Sequence, residues 1–287
     1  MVKKFILNAD DFGMTNAVNR AVLAGYQNGL LKSISIVPNG EFFDEACEIL
    51  SELGNIDVGV HLNITSGQAL CSDLSQLCDE NRVFKNNFIK LLLKSYMSHN
   101  FEFLEQVERE FRRQIEKALN KTKISHIDSH SHIHAIPPIF DIVCRLAKEY
   151  DIPQVRTHYE KPYYMHDAFR YFNKNFPKDI FRMLSLNLFS LINENTVHKY
   201  QLKTNNYIIG ILYRSSMDAP AVSYGLQSLN CNDCTVECMI HPGRNDDGAI
   251  DNRFDEYMIT RNKKLKDKIE SLGYVITSYS KDDEKEI

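Results

Sequence analysis

Residues 126–134 read HIDSHSHIH and hold four of the chain's ten histidines. Within them His126, Asp128, His130, His132 and His134 alternate with Ile or Ser. On an extended strand that spacing would turn all five toward one face. A row of imidazoles and a carboxylate makes a poor core, because buried polar groups need partners, and a metal ion supplies one. A single strand cannot bring every one of them to one ion. One or two would ligate and the rest would support the ligands or touch substrate. The acid pair Asp10–Asp11 has two readings: a turn or cap before Gly13, or a metal-ligating carboxylate beside a general base. His61 alone reads more readily as an ordinary buried histidine than as a ligand.

These residues fall at particular places in the element pattern. KFILNA (4–9), LKSISIV (31–37), IDVGVHLN (56–63), KISHIDS (123–129), QVRTH (154–158), NYIIGILYR (206–214), TVECMIH (235–241) and YVITSYS (274–280) read as strands. Helices are predicted between them. One is capped by Thr15 and ends before Gly29, and one runs from about Glu41 to Gly54. A long charged helix covers 86–120, one opens at Pro137–Pro138 and runs through Tyr150, and one covers 254–272. Alternating strands and helices predict an α/β fold, a distorted (β/α) barrel of seven or eight mostly parallel strands. The chain, 1–287, reads as a single domain with an inserted, partly helical cap at about 160–205. In such a barrel, side chains at the C-terminal strand ends converge on the active site. Asp10, Asp11, His61, Asn63, Asp128, His130, His132, His134, Arg156 and His241 all sit at or near such ends.

Composition excludes other classes. A net charge of −4 gives no basic field for nucleic acid. No run approaches the ~20 apolar residues of a membrane span, so no membrane partner is expected. The short apolar run of MVKKFILNADD is not a signal peptide, and a cytoplasmic location is expected. Seven cysteines fit free thiols in a reducing compartment rather than a disulfide framework. Cys231, Cys234 and Cys238 mimic a zinc motif but lack a fourth ligand. The charged tail SKDDEKEI reads as frayed. The aromatic stretch 158–172 could stack on sugar rings or simply pack the cap.

Taken together, NADDFGMT, GVHLN, HIDSHSHIH and MIHPG resemble the YdjC-like carbohydrate deacetylases, relatives of chitooligosaccharide deacetylases. The four motifs span residues 8–243; the likeness is weak at 160–205 and 214–234. The resemblance implies one divalent metal ion, Mg2+ or Zn2+, bound by Asp11, His61 and His130. It also implies Asp10 as the catalytic base and His241 as the acid that protonates the departing sugar amine. Two imidazoles favour zinc on ligand softness; the family suggests magnesium. Asn63, His132, His134 and Arg156 remain as substrate-binding candidates, with Arg156 alternatively fixing Asp10. The implied reaction is hydrolysis of the N-acetyl group of an amino sugar or chitooligosaccharide, with release of acetate. Rival readings are another metal-dependent phosphoesterase or amidohydrolase on a barrel, and a non-catalytic sugar-binding protein. The partner expected is an N-acetylated sugar, with a homodimer as the assembly carried forward.

Overall fold

Strand β1, Lys3–Phe12, is the axis of the sheet, and the structure, a computed structural model, describes residues 2–27, 29–244 and 252–280. The remaining strands are β2 (Ser33–Ile36), β3 (Asp57–Leu62), β4 (His126–Ser129), β5 (Gln154–Val155), β6 (Tyr207–Ile209), β7 (Cys234–Ile240) and β8 (Tyr274–Ile276). Every pairing is parallel, in the order β5-β4-β3-β2-β1-β7-β6. Among the described residues β8 pairs with Lys3–Phe5 of β1, so the long first strand borders β8 along its first half and β2 along its second. Helices surround this curled half-barrel: α1 (Asn16–Tyr26), α2 (Phe43–Leu50), α3 (Phe88–Tyr96), α4 (Phe101–Leu119), α5 (Pro137–Glu149), α6 (Ala168–Tyr171), α7 (Phe176–Tyr200), α8 (Ala219–Ser228), α9 (Asn252–Thr260) and α10 (Lys263–Ser271). The α/β half-barrel of parallel strands is the predicted architecture.

Local chemistry sets the boundaries. The Thr15 hydroxyl accepts from the Val18 amide at 3.3 Å and starts α1, satisfying one of the amides a helix start leaves open. Pro137 and Pro138 occupy the first turn of α5, where a missing N–H costs nothing. Three expectations need correction. The long helix over 86–120 is two helices, α3 and α4, and His99 between them has a left-handed backbone, φ 67°. The helix over 254–272 is likewise two, with Asn262 capping α10 through its side chain. Third, Cys231 and Cys234 are joined by a disulfide, in place of the expected free thiols. Their spacing at the entrance to β7 brings the two Cα atoms to 6.2 Å, within bridging reach.

α7 crosses most of the region read as a cap and packs on α5. No helix among the described residues is long and apolar enough to cross a membrane. The tail beyond Ser280 lies outside the described residues.

Candidate active site

Asp10 and Asp11 are consecutive on β1, so a regular strand would point them to opposite faces. The register explains how both reach the site. Ala9 pairs with Ile34 and Phe12 with Ile36, so Asp10 and Asp11 together oppose the single residue Ser35. This is a β-bulge, and it resets the alternation. Asp11 takes the strain, with φ 66°, and Gly13 (φ 88°) completes the turn into α1. Left-handed backbone is uncommon outside glycine and collects at functional sites.

The reading of 126–134 as one strand is incorrect beyond Ser129. β4 ends there, and His130–Ala135 forms a tight helical turn in which Ser131 and His132 are left-handed, φ 57° and 58°. The period-two argument therefore holds only for His126 and Asp128. The turn does what a strand could not: it swings His130 back over the end of β1, where its Nδ1 lies 2.8 Å from Asp11 Oδ1.

Asp11, His61 and His130 each offer one donor atom, all within 4.8 Å of one another. His61 Nε2 lies 3.5 Å from Asp11 Oδ1, and its Nδ1 is 2.7 Å from Asp128 Oδ1. A carboxylate on the far nitrogen of a ligating imidazole fixes the tautomer and aims the ring. Arg156 is fully buried beneath this cluster. Its Nη1 and Nη2 donate to the two oxygens of Asp10, each at 2.7 Å. It also contacts Asp128 Oδ2 at 2.6 Å, and its Nε donates to Glu237 at 2.9 Å.

The electrostatics of the cluster follow from its composition. Burial alone would raise the Asp11 carboxyl, but hydrogen bonds from His130 and His61 outweigh it and hold the group well below the usual carboxylate range. Burial would likewise lower His61, yet the charges of Asp128 and Asp10 push it up to about 10. Burial carries Glu237 up to about 7, against the pull of Arg156. Asp10, Asp128 and Glu237 thus meet the one buried guanidinium of Arg156, while Arg253 at the rim lies 3.6 Å from Asp11 Oδ2. His61 balances the remaining charge by holding a proton, which a ligated cation would displace. A buried cluster rich in carboxylate, with two imidazoles aimed at one of its acids, suits a divalent cation.

The site opens into a cleft of about 750 Å3 whose lining includes His130, His132 and His241. His241 Nε2 lies 4.0 Å from Asp10 Oδ2, and its Nδ1 lies 3.3 Å from Glu256. The four substrate candidates separate here. His132 lines the cleft, nearly buried, and its Nδ1 has no hydrogen-bond partner among the described residues. His134 has both ring nitrogens engaged, by Ser129 Oγ and the Arg156 carbonyl. The Asn63 amide is committed to Asn39 and Ser66, and its oxygen accepts from Thr65 and Ser66. Arg156 holds Asp10 and has no exposed surface. Of the four, only His132 faces the space a substrate would fill.

A family model described as YdjC-like protein matches residues 4–271. The chain belongs to the YdjC-like family. Relatives include a carbohydrate deacetylase of Clostridium beijerinckii, 29% identical over 245 residues, covering 84% of this chain and 81% of the relative. Carbohydrate deacetylase 1 of Listeria innocua is 38% identical over 157 residues, covering 54% and 61% respectively. Among solved structures, a protein of Enterococcus faecalis V583, provisionally described as a cellobiose-phosphate cleavage protein, superposes with a TM-score of 0.74. It is 22% identical and 98% of each chain is covered, a likeness of fold.

Sequence reasoning missed several supports of this YdjC-like site. Glu237 ties Arg156 to the Tyr279 hydroxyl. Ser35 donates to Asp128 at 2.7 Å and accepts from Asn8 at 2.8 Å. Glu256 holds His241. Glu237 alone left a readable signal, an acid in the middle of the apolar run VECMI.

Proposed function

We propose that the chain is a metal-dependent hydrolase that removes the acetyl group from an N-acetylated amino sugar, a chitooligosaccharide being the substrate to test first. The observation that carries this reading is the convergence of the Asp11–His61–His130 donor set with Asp10 and His241 beside one cleft, into which His130 and His241 reach. The names of the curated relatives support it.

A divalent ion held by Asp11, His61 and His130 would supply a Lewis acid for the acetamide carbonyl and acidify a water, with coordination positions left open for both. Asp10 is the general base. Arg156 occupies one lone pair on each of its oxygens and the Asn8 amide a second on Oδ1; of about four sites one remains, on Oδ2, the oxygen 4.0 Å from His241. Arg156 also fixes the carboxylate plane, which a base needs in order to take a proton along a defined path. His241 is the general acid. Glu256 at Nδ1 leaves Nε2 toward the cleft, where it protonates the amine nitrogen as the C–N bond breaks. That proton is required because an amide nitrogen is a poor leaving group. His132 is a substrate contact, its open Nδ1 meeting a sugar hydroxyl.

The test is acetate release from N-acetylglucosamine disaccharides, with and without a 6-phosphate, by the wild type and by His130→Ala, with bound metal measured in both. The reading requires that His130→Ala lose metal and turnover together. Full turnover by metal-free His130→Ala protein would overturn it.

A further inference from the structure

α7 is apolar on two sides. One stripe, including Met183, Leu186 and Val197, is buried. A second stripe of Phe181, Leu184, Leu188 and Leu191 recurs at steps of three, four and three residues, and these side chains are 56–72% exposed. That spacing places them on one helix face. α3 repeats the pattern: Leu91 is buried, while Ile89, Leu93 and Tyr96, with Met97 just past the helix end, are 60–66% exposed. The two helices are neighbours, with the rings of Phe88 and Phe189 6.2 Å apart. Ile89 and Phe181 both line the cleft, so both stripes begin at its mouth. The eight large, mostly exposed side chains form two stripes of on the order of 400 Å2 each, the size at which the largest apolar patch of a monomer is often functional.

The charge around this face leans basic. Residues 85–102 and 167–194 carry seven Lys or Arg against four acids, Glu102, Asp167, Asp179 and Glu194, in a chain of net charge −4. Asp179 is buried and paired with Arg182, Lys85 pairs with Asp79 and Arg170 with Asp218. Lys90, Lys174 and Lys178 have no carboxylate partner among the described residues. A second copy of the chain docking by two-fold symmetry would set this basic face against itself. An anionic bilayer is complementary to it in both respects: apolar side chains enter the interface and lysines meet lipid phosphates.

We infer that α3 and α7 form a peripheral docking surface for an anionic phospholipid bilayer, with the mouth of the cleft turned toward the headgroups. Such attachment needs no spanning helix. The sequence-based expectation of no membrane partner rested on the lack of a spanning run and does not bear on a face that only the fold assembles.

The test is co-sedimentation of the full chain with vesicles of phosphatidylcholine alone and of phosphatidylcholine mixed with phosphatidylglycerol. Binding is expected to the mixed vesicles, and raised salt should weaken it. Lys90→Gln combined with Lys174→Gln should lower the partition coefficient about fivefold per charge removed. Leu184→Glu combined with Leu188→Glu should abolish binding; neither residue touches the cleft. Sedimentation reads no turnover, so its outcome is separate from that of the proposed reaction. Two results would overturn the inference: wild-type protein remaining in the supernatant with both vesicle types, or a dimeric solution mass that falls to one chain in the Leu184/Leu188 variant.

Discussion

Arg156 is the residue on which the polar interior depends. It contacts Asp10, Asp128 and Glu237 with no solvent to share the load, and removing one partner of a buried ion pair leaves bare charge behind. Arg156→Ala should therefore destabilise the fold by about 3–5 kcal/mol in urea unfolding. Arg156→Lys should recover part of that stability but little activity, because an ammonium cannot grip both oxygens of Asp10. Equal kcat/KM in the wild type and Arg156→Lys would show that the bidentate contact is dispensable. At this scale the sequence was informative about identity and poor about role. The types and order of Asp10, Asp11, His61, His130 and His241 were readable. Whether Arg156 held Asp10 or met a sugar was not, because one arginine looks like another until its surroundings are known.

At the scale of elements, two irregularities build the site: the bulge at Asp10–Asp11 and the tight turn at His130–Ala135. Both break a simple period, which is why periodicity misread 126–134 as continuous strand. A third constraint lies inside β3. A Cβ on Gly59 would collide with the imidazole of His126, so glycine is needed there for the ring to lie across the strand. Gly59→Ala should cost roughly 2–3 kcal/mol through overpacking. The strand His126–Ser129 should also shift, displacing the Asp128 carboxylate that aims His61 and lowering metal affinity. A Gly59→Ala protein with wild-type denaturation midpoint and metal content would refute the close approach.

For the molecule as a whole, the buried imidazoles set the response to acid. Burial lowers both His126 and His134 to about 4. Their native-state pKa values lie below the ~6.5 of an unfolded chain, so the unfolded state binds more protons between those limits. The contribution of these two rings is thus full above pH ~6.5 and lost as pH falls toward 4, by up to about 3 kcal/mol for each histidine. Glu237 and Glu160, which burial raises to about 7, contribute with the opposite sign over the same range. Urea unfolding at pH 7 and at pH 4 should therefore show a smaller loss of stability toward acid in His126→Asn than in the wild type. An identical pH dependence in the two proteins would contradict burial of the neutral His126 ring.

The sequence by itself determined the order of strands and helices, the parallel sheet they imply, and the residues at the strand ends. These depend on local propensity, capping and hydrophobic period, all written in neighbouring residues. Only the tertiary structure decided which nitrogen faces which carboxylate, that Arg156 is buried, that Cys231 reaches Cys234, and that α3 and α7 bring two apolar stripes to one cleft. Those facts join residues as far apart as Asp10 and Arg156, 146 positions along the chain. They depend on the curvature of the sheet and on a single extra residue in β1, neither of which leaves a period to read.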